Sequence, residues 1–488
     1  MTSRGKTDPG SSLWSLFTEI VTYGAGGFLL RFTGLAITMV VARILAIEEY
    51  GRLELLVTSA TILTAFASLQ SEGGLLRFYY PAGEERPRLL FTHLATIALV
   101  GSGVAIVGVV AAPGLARLWP EAGFSPGEIR LGGALVLGNL IYNHTLTCFR
   151  AARRPKAAVG LALGTSLAQL GLVVVLAGWL GMGIKGVVGA RVLAELGAFG
   201  VVVLVDRARY RPPFSLEWLR QLMSYSLPLA LETFVSMVLF HFTRYFLTNA
   251  LGPGALGLFG MAARAATVVV LLTAPLKGGW LPYAFSQEDS PEARENFVKV
   301  FRAYVKLGGW GVGFVSLLAP VLIIILGSDK YLAATAMVGP LAAAQFLQGA
   351  SYLLNTPLLI SKRTGLYTLA SSAGATAVIM ANIMVVPALG AMGAAVAQAI
   401  GMLALDLMLF AVGQRVLKIP YPVGYVFIPF AVGLGAGFVE RFFHPSIAIW
   451  PRIGIGVAMG AGALWHMRGE ISAIVSRFRA RRAAGNGK

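Results

Sequence analysis

The chain predicts an all-α integral membrane protein of about fourteen transmembrane helices, arranged as two parallel six-helix repeats that form two lobes plus two C-terminal helices. Three observations predict it. Of 488 residues, 56% are hydrophobic and only 13% charged, and mean hydropathy is +0.73, far above the soluble average. Long apolar runs recur at a spacing that suits crossings of roughly 20 residues joined by short loops. Weak sequence matches recur at a separation of about two hundred residues.

The apolar runs place crossings at 18–44, 53–75, 90–112, 130–149, 157–180 and 185–205 in the first half. The second half places them at 221–248, 255–281, 302–326, 333–360, 366–386, 391–413, 424–440 and 447–466. The chain then divides into an N-terminal segment (1–17), a first lobe (18–205), a linker (206–220), a second lobe (221–413), two extra helices (414–466) and a basic tail (467–488). The first apolar run is too long for a signal peptide and lacks a small-residue cleavage site, so it is expected to be retained.

Formal net charge is +18, which in a soluble chain would suggest nucleic acid as partner. Here the basic residues gather in alternate loops, and no arginine-rich arm interleaved with aromatics is present, so no nucleic-acid partner is expected. Counted over the loops, 26 Lys and Arg fall on one side, 7 on the other and 7 within the crossings. Because basic loops stay on the inner side, both termini are expected in the cytoplasm and the protein in the cell inner membrane. The tail, Arg477 to Lys488, can lie on anionic headgroups.

A single cysteine, Cys148, excludes a disulfide framework and a clustered thiolate site. His93, His144 and His241 sit on separate helices without ligand spacing, so no metal is expected. No phosphate loop, zinc motif or nucleophile elbow is present, so neither cofactor nor enzyme activity is expected.

The repeat rests on two matches. Leu45-Ala-Ile-Glu-Glu-Tyr-Gly51 aligns with Leu251-Gly-Pro-Gly-Ala-Leu-Gly257, which sets Thr61 on Thr267, and Gly186, Val188, Ala190 align with Gly393, Ala395, Ala397. Six crossings per repeat make both halves enter the membrane in the same sense. Parallel repeats of that kind place a substrate site between the halves and alternate access by rocking.

Seven basic residues fall inside crossings: Arg31, Arg43, Arg191, Arg244, Arg264, Lys277 and Lys306. An arginine facing lipid at mid-helix costs at least roughly 2.5–3.5 kcal/mol on insertion scales, so the central ones require water or a partner. Arg31 shares a helix face with Gly27, Gly34 and Thr38. The second crossing carries a stripe of Glu54, Thr58, Thr61, Ala65, Ser68 and Glu72, the seventh an arc of Glu232, Ser236 and Arg244, and the eighth a face of Gly260, Arg264 and Thr267. Arg43, Lys277 and Lys306 lie near helix ends and can snorkel. Arg191 and Glu195, four apart, form an expected structural pair. Gln345, Gln348, Tyr352 and Asn355 form a polar stripe on the tenth crossing, open to helix contacts or to sugar.

Arg43-Ile-Leu-Ala-Ile-Glu-Glu-Tyr-Gly51 followed by Glu72-Gly-Gly-Leu-Leu-Arg77 resembles the opening signature of the polysaccharide-transport flippases. These belong to the multidrug, oligosaccharidyl-lipid and polysaccharide exporter superfamily. Tyr225-Ser-Leu-Pro-Leu229, Trp280-Leu-Pro282, Gly327-Ser-Asp-Lys-Tyr331 and Leu389-Gly-Ala-Met-Gly-Ala-Ala395 extend the resemblance over most of the chain. It implies a V-shaped transporter that moves a polyprenyl-diphosphate-linked oligosaccharide from the cytoplasmic to the outer leaflet. It also implies that crossings 1, 2, 7 and 8 line the cavity. The two extra helices resemble those that form a groove for the lipid tail in lipid II flippases. One departure is Phe242-Thr-Arg-Tyr245, where the family often has an acidic residue before the arginine.

A diphosphate must cross about 30 Å of hydrocarbon, and planar guanidinium forks suit it best. The expected substrate ligands are therefore Arg31, Arg244, Arg264, Thr61 and Lys277, with Glu72, Arg77 and Glu232 in gating or ion coupling. The expected partners are the lipid-linked sugar, membrane lipid and a coupling H⁺ or Na⁺, with the protein a monomer. A cation-coupled multidrug exporter is the alternative within transport. A membrane-embedded glycosyltransferase or O-antigen ligase would need a large outer loop bearing catalytic polar groups, and the longest, 113–129, is short.

Overall fold

A computed structural model describes residues 9–206, 213–270, 280–281, 283–285, 292–363 and 365–442, with side chains from Gly26 onward apart from those of 228, 229, 231 and 442. Helices make up the fold, and no strand occurs among the described residues. Among the described residues, eight helices are long and apolar enough to cross a membrane, or ten if each of two bent pairs counts as one span. Leu99, Val110 and Val205 are among many large apolar side chains left exposed on these helices, the arrangement a lipid solvent favours. This is a multi-pass membrane protein.

The first lobe comprises α1 (Pro9–Ile44), α2 (Ile47–Ser68), α3 (Ser71–Phe78), α4 (Arg86–Leu118), α5 (Pro126–Ala151), α6 (Pro155–Val173) and α7 (Gly183–Val205). The second comprises α8 (Leu216–Ala266), α9 (Ala293–Leu317), α10 (Ala319–Leu326), α11 (Thr335–Leu354), α12 (Thr356–Ile360), α13 (Gly365–Leu389) and α14 (Ala391–Val416). A further helix, α15 (Phe427–Phe442), packs on α9 and α11. Crossing 14 and the basic tail lie outside the described residues, as does the linker's centre.

Several expected crossings are broken, each for a local reason. Crossing 2 bends by 47° between α2 and α3, where Leu69 and Gln70 take the left-handed conformation at φ 47° and 58°, costly without glycine. Glu72 and Arg77 therefore sit on the separate α3 rather than on the end of a continuous span. Crossing 9 bends by 62° between α9 and α10; Pro320 opens α10, has no N–H and crowds the carbonyl four residues back. Pro357 likewise separates α12 from α11. Crossings 7 and 8 run together as α8, divided by Gly252 at φ 81°.

The lobes repeat one packing pattern. In the first, α1 packs on α6, α4 on α5, α5 on α7 and α6 on α7; in the second, α8 packs on α13, α9 on α11, α11 on α14 and α13 on α14. The repeated glycines occupy matching places. A β-carbon on Gly186 would press on Leu176 O and one on Gly393 on Val385 O, each at the end of the preceding span.

Between the lobes, α2 packs along α8. At the end carrying the α1–α2 connection the contact is backbone to backbone: β-carbons on Gly51 and Gly257 would collide with the carbonyls of Pro253 and Ile47. Arg43 donates to Ile325 O at 2.9 Å, Lys330 to Leu45 O at 2.7 Å, and Trp119 stacks on Tyr245 at 5.7 Å. At the opposite end a small apolar core of Leu75, Leu89, Leu90, Cys148 and Leu222 joins α3, α4 and α5 to the start of α8.

Candidate functional site

The site is built on the two helices that meet between the lobes. On α2, helical spacing sets Tyr50, Glu54 and Val57 on one side, and on the second segment of α8 it sets Gly260 and Arg264 opposite. Gly260 makes room, since a β-carbon there would lie 2.9 Å from Glu54 Cγ. Arg264 Nη2 donates to Glu54 Oε1 at 2.9 Å. The pair is lopsided in exposure: the Glu54 side chain is 11% accessible and that of Arg264 44%. Arg264 is thus tied to Glu54 and flanked by the Tyr50 hydroxyl, with one edge of its fork left open.

The open edge faces a first-lobe cavity of about 220 Å³ whose wall includes Gly34, Thr38, Glu54, Gln169, Arg191 and Arg264. Arg191 is held by Glu195 at 2.9 Å and by Asn139 at 2.8 Å, the expected structural pair. It also lines a second polar chamber of about 310 Å³ with Thr61, Glu72, Tyr142 and Asn143. Ala65 and Met237 join that chamber to an apolar opening of about 680 Å³ between α2 and the first segment of α8, where Phe66, Leu69, Leu227 and Phe234 form the rim.

In the second lobe Arg244, His241, Gln345, Gln348 and Gln398 line a cavity of about 300 Å³. Arg244 Nη1 donates to Phe240 O at 2.9 Å, and the guanidinium stands 5.9 Å from the centre of the Phe259 ring. Its Nε is buried without a hydrogen-bond partner. Among the described residues no carboxylate lies within ion-pair distance of it, and Glu54 offsets its charge only from farther off.

The other expected site residues are scattered. Arg31 is exposed, one turn from Gly34 on the same helix face, and makes no hydrogen bond or ion pair with a described residue. Thr61 lines the polar chamber with its hydroxyl donated to Val57 O at 2.8 Å. Arg77 is exposed on α3. Glu232 accepts a hydrogen bond from Ser236. Lys277 lies outside the described residues.

Two relationships were not legible in advance. The Glu54–Arg264 pair joins two polar stripes that the sequence displays separately, with nothing in it to set one against the other. The histidines are not isolated: His93 and His144 stack, their Nδ1 atoms 2.8 Å apart, with Ser71 at 3.0 Å and Cys148 at 3.4 Å. They stand on separate helices, as expected, but α4 and α5 pack side by side and bring the two rings together.

The profile of the family described as polysaccharide biosynthesis protein matches residues 40–336. The chain belongs to that family. Its members' resemblance, read from the motifs around Gly51 and Glu72, is borne out, and the matched stretch contains both Glu54 and Arg264. No curated protein matches the chain in sequence.

Among solved structures, this member of the family is similar to the lipid II flippase MurJ in an inward closed conformation. The TM-score is 0.69 at 12% identity over 92% of this chain and 100% of that one. It is also similar to an inward-facing multidrug resistance MATE family transporter of the MOP superfamily, with a TM-score of 0.64 at 15% identity over 79% and 94%. The outward-facing conformation of a MATE family transporter gives 0.57 at 15% identity over 86% and 99%. At such identities the likeness shows the fold.

Proposed function

We propose that the protein is a flippase that carries a polyprenyl-diphosphate-linked oligosaccharide from the cytoplasmic to the outer leaflet of the inner membrane, for cell-surface polysaccharide or cell-wall synthesis. One observation carries the reading: in a two-lobed transporter fold, two guanidinium groups, Arg264 and Arg244, open onto polar cavities in whose described walls Glu54 is the one carboxylate. The surplus favours an anion. At an effective dielectric near 20 and about 4 Å, each unit-charge pair is worth roughly 4 kcal/mol, enough for two arginines to offset much of a diphosphate's desolvation.

In this reading both termini are cytoplasmic and the packed α1–α2 end faces outward, so the present arrangement is closed to the outside. The headgroup occupies the chambers reached from Arg191 to Arg264 while the lipid stays at the apolar rim of Phe66 and Phe234. A groove of about 720 Å³ between α9 and α15, with Arg302, Lys306 and Trp310 in its wall, suits a lipid tail. Arg31 and Lys277 add positive charge along the route, Thr61 a polar contact, and Glu72, Arg77 and Glu232 serve gating or coupling to H⁺ or Na⁺. The protein works as a monomer.

Reconstitution with a labelled polyprenyl-diphosphate sugar tests this. Delivery to the opposite leaflet is expected, and Arg264→Ala or Arg31→Ala should reduce it without loss of folded protein. The MATE-like fold supports a second reading, cation-coupled drug export; efflux of cationic dyes with no lipid-sugar delivery would establish it instead.

A further inference from the structure

Inside the second lobe, Leu347, Ser351 and Asp406 bring three oxygens into a row. Ser351 Oγ lies 3.2 Å from Leu347 O and 2.6 Å from Asp406 Oδ1. A serine hydroxyl has one proton, which a carboxylate and Leu347 O would have to share, whereas a proton on the carboxyl makes each contact a full hydrogen bond. Asp406 Oδ1–H then donates to Ser351 Oγ, and Ser351 Oγ–H donates to Leu347 O.

The surroundings favour the neutral carboxyl. Asp406 is 0% exposed on α14, and its Oδ2 is buried without a partner. The titratable groups that face it are Tyr304 from α9 and Tyr367 from α13, with Glu232 of α8 beyond Tyr367. The Tyr304 hydroxyl is already donated to Phe346 O at 2.6 Å. Among the described residues no lysine, arginine or histidine pairs with Asp406. A carboxylate in that position would keep its full charge in a low dielectric with one hydroxyl for support.

We propose that Asp406 is a proton-binding site, and that this proton is the ion whose uptake and release are coupled to movement of the lobes. Binding converts the carboxylate to the neutral acid and lets Ser351 turn its hydroxyl to Leu347 O. Release returns the proton to water and draws the Ser351 hydroxyl back to Asp406. A sodium ion would need a shell of several oxygens, whereas the carboxyl meets Ser351 alone within hydrogen-bond distance among the described residues. The proton site stands apart from the flippase reading, while its coupling role rests on it.

Infrared difference spectroscopy of the full chain in lipid nanodiscs reads the site without any substrate. At neutral pH a carbonyl band of a protonated carboxyl is expected, lost in Asp406→Asn and shifted in frequency in Ser351→Ala, which removes the acceptor and covers failure of the first variant to fold. Absence of the band, its survival in Asp406→Asn, or its loss on adding Na⁺ at fixed pH overturns the proton assignment. In proteoliposomes carrying labelled polyprenyl-diphosphate sugar, Asp406→Asn should lose the stimulation that a pH gradient gives the unmodified protein. Retained stimulation beside a lost band overturns the coupling role and leaves the site.

Discussion

Gly51 and Gly257, 206 residues apart in the chain, lie back to back across the interface between the lobes, each against the other helix's carbonyls. They are the matching glycines of the internal repeat, so the duplicated motif supplies both sides of its own contact. A β-carbon on either would force α2 and α8 apart. Overpacking of this kind costs typically 1–3 kcal/mol.

Gly257→Val should therefore disfavour the closed α1–α2 end. Glu48 and Gly254 report on it, since a β-carbon on Gly254 would lie 3.6 Å from Glu48 Cγ. With cysteines at both positions, cross-linking should be efficient in the otherwise unmodified chain. Adding Gly257→Val should lower the yield about tenfold, the equivalent of ~1.4 kcal/mol. An unchanged yield would mean the interface absorbs the side chain and does not act as a closure.

Glu54 and Arg264 give a prediction with opposite signs for the two partners. Arg264 is nearly half exposed, so screening reduces the pair to about 1 kcal/mol. Arg264→Gln removes a cation from the cavity and should weaken binding of farnesyl diphosphate, a short polyprenyl diphosphate, about tenfold or more. Glu54→Gln keeps a hydrogen-bond acceptor but removes the competing anion, and should tighten the same binding by roughly fivefold. Titration calorimetry on both variants decides it. If Glu54→Gln weakens binding, Glu54 orients the arginine and does not compete with the ligand.

The helices were legible because lipid demands long apolar runs, and eight described helices, or ten spans with the bent pairs, are long and apolar enough to cross. Their breaks were only partly so. Pro320 and Pro357 account for theirs through a missing N–H, but nothing about Leu69 and Gln70 suggests a left-handed turn. The polar stripes include Arg244, Arg264, Gln345 and Gln348, which line cavities. Which stripe meets which remained unreadable, because helical spacing sets a face and not its partner. Hence Glu54–Arg264, His93–His144 and Ser351–Asp406 all emerge only from the packing.

That turn can be tested through stability. A left-handed conformation costs a non-glycine residue roughly 1–2 kcal/mol, partly offset by the extra chain entropy glycine loses on folding. Gln70→Gly should thus raise stability by about 0.5 kcal/mol, seen as a slightly higher thermal midpoint, while Gln70→Val, β-branched at φ 58°, should lower it by more. A loss of stability in Gln70→Gly would show that the Gln70 side chain contributes more than the backbone relief.

Arg244 offers the sharpest contrast between folding and function. A half-buried guanidinium whose hydrogen bonds go to Phe240 O and His241 Nδ1, with no carboxylate in ion-pair distance among the described residues, is a cost to the fold, and replacing such a charge with an apolar side chain of similar reach is often neutral or stabilising, here at the low end of about 1–4 kcal/mol. Arg244→Met should therefore raise the thermal midpoint while weakening farnesyl diphosphate binding about tenfold. Arg244→Lys should fail to restore binding, because an ammonium neither forks onto a phosphate nor lies flat over Phe259. A variant that is both more stable and less able to bind marks a charge kept for its ligand. Loss of stability with unchanged binding would instead make Arg244 part of the scaffold, and the surplus charge of the second-lobe cavity would no longer speak for an anionic substrate.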